Sequence, residues 1–360
     1  MNSKIVLALV ICVSSSFCFP LQIKSQGLEH NSLLSGHLVT QYTGDNGLIS
    51  NNITSAIQDK SGFIWATTYN GIMRFDGIKV DVFDRGNIPF LTTDAFYKVY
   101  EDQEGTLWFA SQGNGLVVYK NKKFFKIDST EQVLPKSVRT LLIEPNGMIW
   151  AGSNNNGIFL IHNGIPKQLD LPQLNQVGIL DLAKDTQNNL WIATDGKGLY
   201  KYNGKELTLI EGLLSKTINA LGITKDNTIW VGTTNGLNYL SDGKIYKYDS
   251  LKNYEVNCIT IGSDNKIWIG TEISLARIDY NKREFINVTE QEAHPLARVN
   301  SINFDRERNM WISTKRNGLI QIRESGIVNF TIGDCLSNSK VNVILEGPDH
   351  QFYIGSDGGN

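Results

Sequence analysis

Short apolar runs closed by a small residue recur along the chain: "IWAT", "LWFA", "IWAG", "LWIA", "IWVG", "IWIG", "MWIS" and finally "FYIG". Each is the length of a strand buried on both faces. The tryptophans inside them, Trp65, Trp108, Trp150, Trp191, Trp230, Trp268 and Trp311, stand 43, 42, 41, 39, 38 and 43 residues apart, and a further 42 residues reach Tyr353. A beat of this length with several short strands per unit predicts a propeller.

The polar positions keep the same beat. Twelve residues before the aromatic lie Ile53, Phe96, Val138, Ile179, Ile218, Val256, Val299 and Val341, all apolar. Six before it, five units carry an acid: Asp59, Asp102, Glu144, Asp185 and Asp305. A side-chain oxygen there accepts hydrogen bonds from the backbone of its own turn. Three before it stand Gly62, Gly105, Gly147, Asn188, Asn227, Asn265 and Arg308, mostly residue types that tolerate positive φ. Downstream come a glycine and an aliphatic residue (Gly71-Ile72 in the first unit), with blade six departing as Ser274-Leu275. Two-residue hairpins are then expected at Asp76-Gly77, Asn163-Gly164, Asn203-Gly204 and Asp242-Gly243.

One unit therefore reads as four strands, and the fold as all-β: a β-propeller of four-stranded blades, seven-bladed with an incomplete eighth repeat. An incomplete eight-bladed ring is the alternative. The tryptophans are expected between blades, because a lone four-stranded sheet can bury neither face. The propeller is placed at residues 37–334 and a truncated eighth repeat at 335–360. Residues 37–43 are expected as a clasp that completes the last blade of the ring, since an open edge must be paired.

Lys4 followed by the apolar run Ile5 to Val13 reads as a signal peptide over residues 1–26, with 27–36 as a linker. The run is too short to span a bilayer. With 34 basic and 36 acidic residues the net charge is -2, against a nucleic-acid partner. Cys258 and Cys335 are isolated, and His30, His37, His162, His294 and His350 lack ligand spacing, so no metal or other cofactor is expected. No pair of acids stands out as general acid and base, and no catalytic residue is assigned.

The first unit, "GLISNNITSAIQDKSGFIWATTYNGIMRFDG" (Gly47 to Gly77), resembles the two-component regulator propeller repeat, as does "GLLSKTINALGITKDNTIWVGTTNGLNYLSDG" (Gly212 to Gly243). The resemblance implies the periplasmic sensor region of a hybrid two-component histidine kinase that detects an oligosaccharide and regulates polysaccharide-utilisation genes. Relatives of this kind place a second propeller, an immunoglobulin-like domain, a membrane helix and a kinase after the first propeller. Those remaining sensor and kinase portions are expected as partners of this stretch, which itself carries no kinase signature.

The loops between second and third strands converge on one rim, as "TTYNG", "SQGNG", "SNNNG", "TDGKG", "TTNG" and "TKRNG". Amides and charges suit sugar hydroxyls, and an aromatic face suits their C–H surface. Tyr69, Asn70, Gln112, Asn114, Asn155, Lys197 and Arg316 are the candidate ligand-binding residues, against the plainer reading that Asn before Gly simply makes the turn. Two other functions stay open: an envelope docking propeller that forms a homodimer without sensing, and a propeller hydrolase or lyase. The repeated D-x-x-G-x-[IL]-W string resembles the Asp-box of sialidases with one residue more between Asp and Gly.

Overall fold

The computed structural model describes residues 37–127, 134–279, 284–288, 298–324, 340–347 and 352–356. The signal peptide and linker expected over residues 1–36, Cys335 and much of the eighth repeat lie outside the described residues. Blade one shows the pattern: Ile53–Gln58, Ile64–Thr68, Gly71–Phe75 and Val80–Phe83 pair in that order, each antiparallel to the next. Five more four-stranded blades follow in sequence order. Blade seven takes Val299–Phe304, Met310–Thr314 and Leu319–Glu324 from one part of the chain, and its outermost strand is His37–Tyr42. That strand is the clasp.

The tight turn between first and second strands forms where the sequence places it. Its left-handed corner falls on Gly62, Gly105, Gly147, Asn188, Asn227, Asn265 and Arg308, all at positive φ. Two of the expected two-residue hairpins are instead four-residue loops, 76–79 and 203–206. The side chain decides: Asp76 Oδ1 accepts from the N–H groups of Ile78 and Lys79, and Asn203 Oδ1 from those of Lys205 and Glu206. Each side chain thus bonds across two further residues. Blade two makes a two-residue turn at Asn121-Lys122, both at positive φ, without any glycine.

Tryptophan packing joins the blades. Trp65 sits with Phe96 and Phe109 of blade two, Trp150 with Ile179 and Ile192 of blade four, and Trp311 with Ile53 and Ala56 of blade one. Five of the seven are buried; Trp108 and Trp268 are half-buried. The small residue that closes each apolar run has a matching cause. A Cβ on Gly152 would stand 2.7 Å from Ile179 Cγ2, and one on Gly270 2.5 Å from Val299 Cγ1. In both cases the next blade's first apolar residue obstructs together with the glycine's own inner strand, through Thr140 Cγ2 at 2.8 Å and Cys258 Sγ at 2.5 Å, so neither glycine has room for a side chain.

The seven innermost strands surround the axis, and the last touches the first. Asn300 Nδ2 and Asn303 Nδ2 of blade seven donate to the Ile53 and Ala56 carbonyls of blade one, each at 2.7 Å. The ring closes at seven, which sets the eight-bladed alternative aside.

Described by itself, a second unit pairs Val341–Glu346 with Phe352–Ser356. Its register slips between Val341 and Val343, as the register of blade one slips between Ile53 and Ser55. Val343, Ile344 and Leu345 are exposed.

Candidate functional site

Every innermost strand opens with the same irregularity. Its first residue pairs regularly, the second is bulged out of the ladder and pairing resumes at the third. A bulge re-aims the side chain it frees. The freed residues are Thr54, Tyr97, Arg139, Leu180, Asn219, Asn257 and Asn300, and all seven line a central channel of about 850 Å³.

Side-chain hydrogen bonds run around this channel from blade to blade. Thr54 Oγ1 donates to the Phe96 carbonyl at 3.0 Å, and the Leu141 N–H donates to the Tyr100 hydroxyl at 3.0 Å. Thr140 Oγ1 donates to Asp181 Oδ1, and Asp181 Oδ2 accepts the Leu221 N–H at 3.0 Å. Asn219 Nδ2 donates to the Val256 carbonyl, and Thr260 Oγ1 to that of Ile302 at 2.7 Å. The two asparagines of blade seven complete the circuit. These bonds stiffen the lining that a ligand would meet.

Asp181 is the hub of that circuit. Lys98 Nζ reaches its Oδ1 at 3.0 Å, from blade two across blade three to blade four. Lys98 leaves 34% of its side-chain surface toward the lumen, although protein surrounds it. Burial alone would lower the Lys98 pKa, but the Asp181 carboxylate outweighs it and holds the ammonium above its ordinary range. Cys258 lines the same cavity, with its thiol pushed up to about 12 by burial.

One mouth of the channel carries different chemistry. There the bulged residues meet the loops that precede the innermost strands and the hairpins between second and third strands. Backbone bonds tie the two loop sets together: Lys315 N–H to the Arg298 carbonyl at 3.0 Å, and Glu272 N–H to that of Glu255 at 3.1 Å. Around this mouth stand Tyr69, Tyr97, Arg139, Glu255, Asn257, Arg298, Asn300 and Lys315. The Tyr69 and Tyr97 rings meet edge to face at 6.3 Å, and the Arg139 guanidinium lies 5.1 Å from the centre of the Tyr97 ring. Arg298 is paired with Glu255 at 2.6 Å. Burial and neighbouring Tyr97 raise the Tyr69 pKa, while Arg139 and Arg298 both pull it down.

Of the seven candidates read from the sequence, Tyr69 borders the channel. Asn70, Gln112, Asn155, Lys197 and Arg316 are exposed on the hairpins of the same rim, outside the channel lining. Asn114 is buried: its Oδ1 accepts from Thr92 N–H at 2.6 Å and its Nδ2 donates to the Thr93 carbonyl at 2.8 Å, so its amide holds a loop. Tyr97, Arg139, Asn257, Arg298, Asn300 and Lys315 were missed. A signal for several of them exists. The residue just after the apolar position twelve before each tryptophan reads Thr, Tyr, Arg, Leu, Asn, Asn, Asn, with no common type, between positions that hold theirs. Among the described residues no group of three His, Cys, Asp or Glu side chains is placed to hold a metal ion.

Residues 47–70 and 250–272, in blades one and six, match the two-component regulator propeller family. Those two stretches read as two-component regulator propeller repeats. Histidine kinase P4 of Formosa agariphila is 26% identical over 166 residues, which are 40% of this chain and 12% of that protein. The extracellular domain of a putative hybrid two-component system from B. thetaiotaomicron superposes with a TM-score of 0.74 at 22% identity, over 89% of this chain and 47% of that one. Virginiamycin B lyase from Staphylococcus aureus shares the architecture at a TM-score of 0.62 and 17% identity, over 79% of this chain and 98% of the lyase. The chain thus spans about half the length of the two-component structure it matches, and its match covers about an eighth of the curated kinase. Among the described residues no helix is long and apolar enough to cross a membrane.

Proposed function

We propose that this propeller is the periplasmic ligand-sensing part of a hybrid two-component sensor histidine kinase, and that it binds an oligosaccharide without changing it. The observation that carries the reading is the channel mouth. Repeats of the two-component regulator type surround a cavity whose strands are cross-bonded and whose rim offers aromatic, cationic and amide side chains from different blades. The lining offers what sugars require: an exposed tyrosine ring for C–H surfaces, and amides and charged groups for hydroxyls. A ligand that favours one of two arrangements of the sensor biases the kinase in proportion to its differential affinity. Genes for polysaccharide utilisation are the output this reading assigns. The likeness to extracellular domains of hybrid two-component systems supports it, and supports export from the cytoplasm.

Two other functions share the same face. A docking propeller uses the rim for a protein or a second copy of itself, and a lyase turns its ligand over, as the names of some structural neighbours say of those proteins. Titration of the chain with an oligosaccharide library, read by calorimetry and by product analysis, separates the three. Binding without products is expected. Product formation would favour an enzyme, and silence from folded protein would favour docking.

A further inference from the structure

The mouth is not uniform around its circumference. Blades seven, one, two and three present Arg298 and Lys315, then Tyr69, then Tyr97, then Arg139. Blades four, five and six present Leu180, Asn219 and Asn257 at the bulge positions. Cations and aromatic rings share one arc; the other carries these neutral bulge residues and, before the first strand of blade six, Glu255.

Within the cationic arc the charges are unequally satisfied. Arg298 is held by Glu255, the acid of the mouth. Deeper in the channel, Lys98 and Asp181 satisfy each other. Among the described residues, the hairpins between second and third strands also carry Asp195 in blade four and Glu272 in blade six, both outside the lining. Arg139 has a neutral partner, Asn154 Oδ1 at 3.2 Å, and among the described residues no acid is bonded to exposed Lys315.

Two features point to a prepared site. The Tyr97 ring, with the Arg139 guanidinium over it, and Asn154 hold that guanidinium at the mouth before any ligand arrives, and its planar fork is suited to a carboxylate or sulfate. Arg298 has φ 44, whereas its counterparts in the other six blades (Asn52, Ala95, Ser137, Gly178, Thr217 and Glu255) are not left-handed. The Glu272 carbonyl at 3.1 Å from the Arg298 N–H holds it there. Strain of this kind gathers at ligand clamps.

We propose that the oligosaccharide taken at this mouth is acidic. A sugar ring lies against the exposed face of Tyr69, and its carboxylate or sulfate ester is received by Arg139 and Lys315. Arg298 joins them when the anion competes with Glu255. This rests on the glycan-sensing reading above and adds the charge of the ligand to it.

The test uses the full chain and three length-matched oligosaccharides, one neutral, one uronate-bearing and one sulfated, titrated by calorimetry at low and high sodium chloride. An acidic member is expected to bind about tenfold or more tightly than the neutral one. That advantage should shrink as salt rises. Arg139→Gln should remove it, and Glu255→Gln should strengthen acid binding by freeing Arg298. Near-ultraviolet circular dichroism checks that each variant is folded. The uronate and sulfate arms decide which anion the mouth receives. Neutral binding as tight as acidic, or acid binding indifferent to Arg139→Gln, overturns the proposal and leaves glycan sensing standing. Silence toward all three sugars from folded protein overturns the glycan reading itself.

Discussion

Trp65 Nε1 donates to Asp59 Oδ2 at 2.7 Å, while Asp59 Oδ1 accepts the N–H groups of Ser61 and Phe63 at 2.8 and 3.0 Å. One carboxylate thus closes the turn and aims the indole into blade two. The same arrangement recurs at Asp102–Trp108, Asp185–Trp191 and Asp305–Trp311; at Glu144–Trp150 the indole bond recurs while the Met148 N–H of the turn donates to Asn146 Oδ1. Asp59→Asn is therefore not conservative. The amide has one acceptor, and either rotamer sets its NH₂ against an N–H that needs an acceptor. A loss of about 2–3 kcal/mol is expected for a buried hydrogen bond to a charged group. Urea midpoints measure it; a loss within about 0.5 kcal/mol, ordinary for a surface substitution, would rule out this role for the carboxylate.

That pair also marks where the sequence stops being legible. The turn corner at Gly62, Asn188 or Arg308 is a local property, readable because it depends on one residue's φ. The contact from Asp59 to Trp65 depends on the completed hairpin, and neither residue type announces it. Loop length at 76–79 and 203–206 was hidden for a related reason: the Asp76 and Asn203 side chains do turn work that the residue pair does not show. Tyr69 was found because it lies in a loop, where polar chemistry draws attention. Tyr97 and Arg139 lie inside strands, at the position where the repeat varies. A search for what the blades share passes over what distinguishes them.

Closure of the ring rests on Gly318. Its φ is 73, and a Cβ there would overlap the Tyr42 carbonyl oxygen of the clasp strand. Its own N–H donates to the Asn51 carbonyl at 2.9 Å. Gly77, at φ 100, has open space around its missing Cβ. Gly77→Ala should cost about 1 kcal/mol from backbone strain alone, and Gly318→Ala clearly more, because the clasp must move. Thermal unfolding and proteolytic cleavage within residues 37–43 compare the two. Equal losses without new cleavage would show that the clasp tolerates the added carbon.

Asp181 joins more blades than any other side chain described above, taking bonds from Lys98, Thr140 and Leu221. Asp181→Leu leaves the Lys98 ammonium without its carboxylate, and because 34% of the Lys98 side chain faces the lumen, water takes up part of that charge and a loss of about 1–3 kcal/mol is expected. Lys98→Met with Asp181→Leu removes both charges and should cost less than the two single changes added together. Denaturation midpoints of the four proteins in the cycle give the coupling. Simple additivity would mean that the pair is bridged by solvent and holds nothing.

The acid limb of stability has a defined source in Asp185 and Glu144. Burial pushes both carboxyls upward, but bonds from Asn189 and Trp191 to Asp185, and from Lys184 and Trp150 to Glu144, leave both pKa values below the ordinary range. A folded-state pKa held below the unfolded value stabilises the fold above the unfolded pKa, about 3.9 for Asp and 4.3 for Glu. That contribution is lost as pH falls through the lower, folded values. Stability should therefore be insensitive to these groups from pH 7 to about 5 and should fall below about 4. Asp185→Asn removes one of the two titrations. It should be less stable than the natural chain at pH 7, with the gap closing in acid, where the natural Asp185 is also neutral. Denaturation midpoints of the two proteins between pH 7 and 3 measure the gap. A constant gap across that range would mean that the carboxylate charge at Asp185 does not stabilise the turn, and that shape alone does.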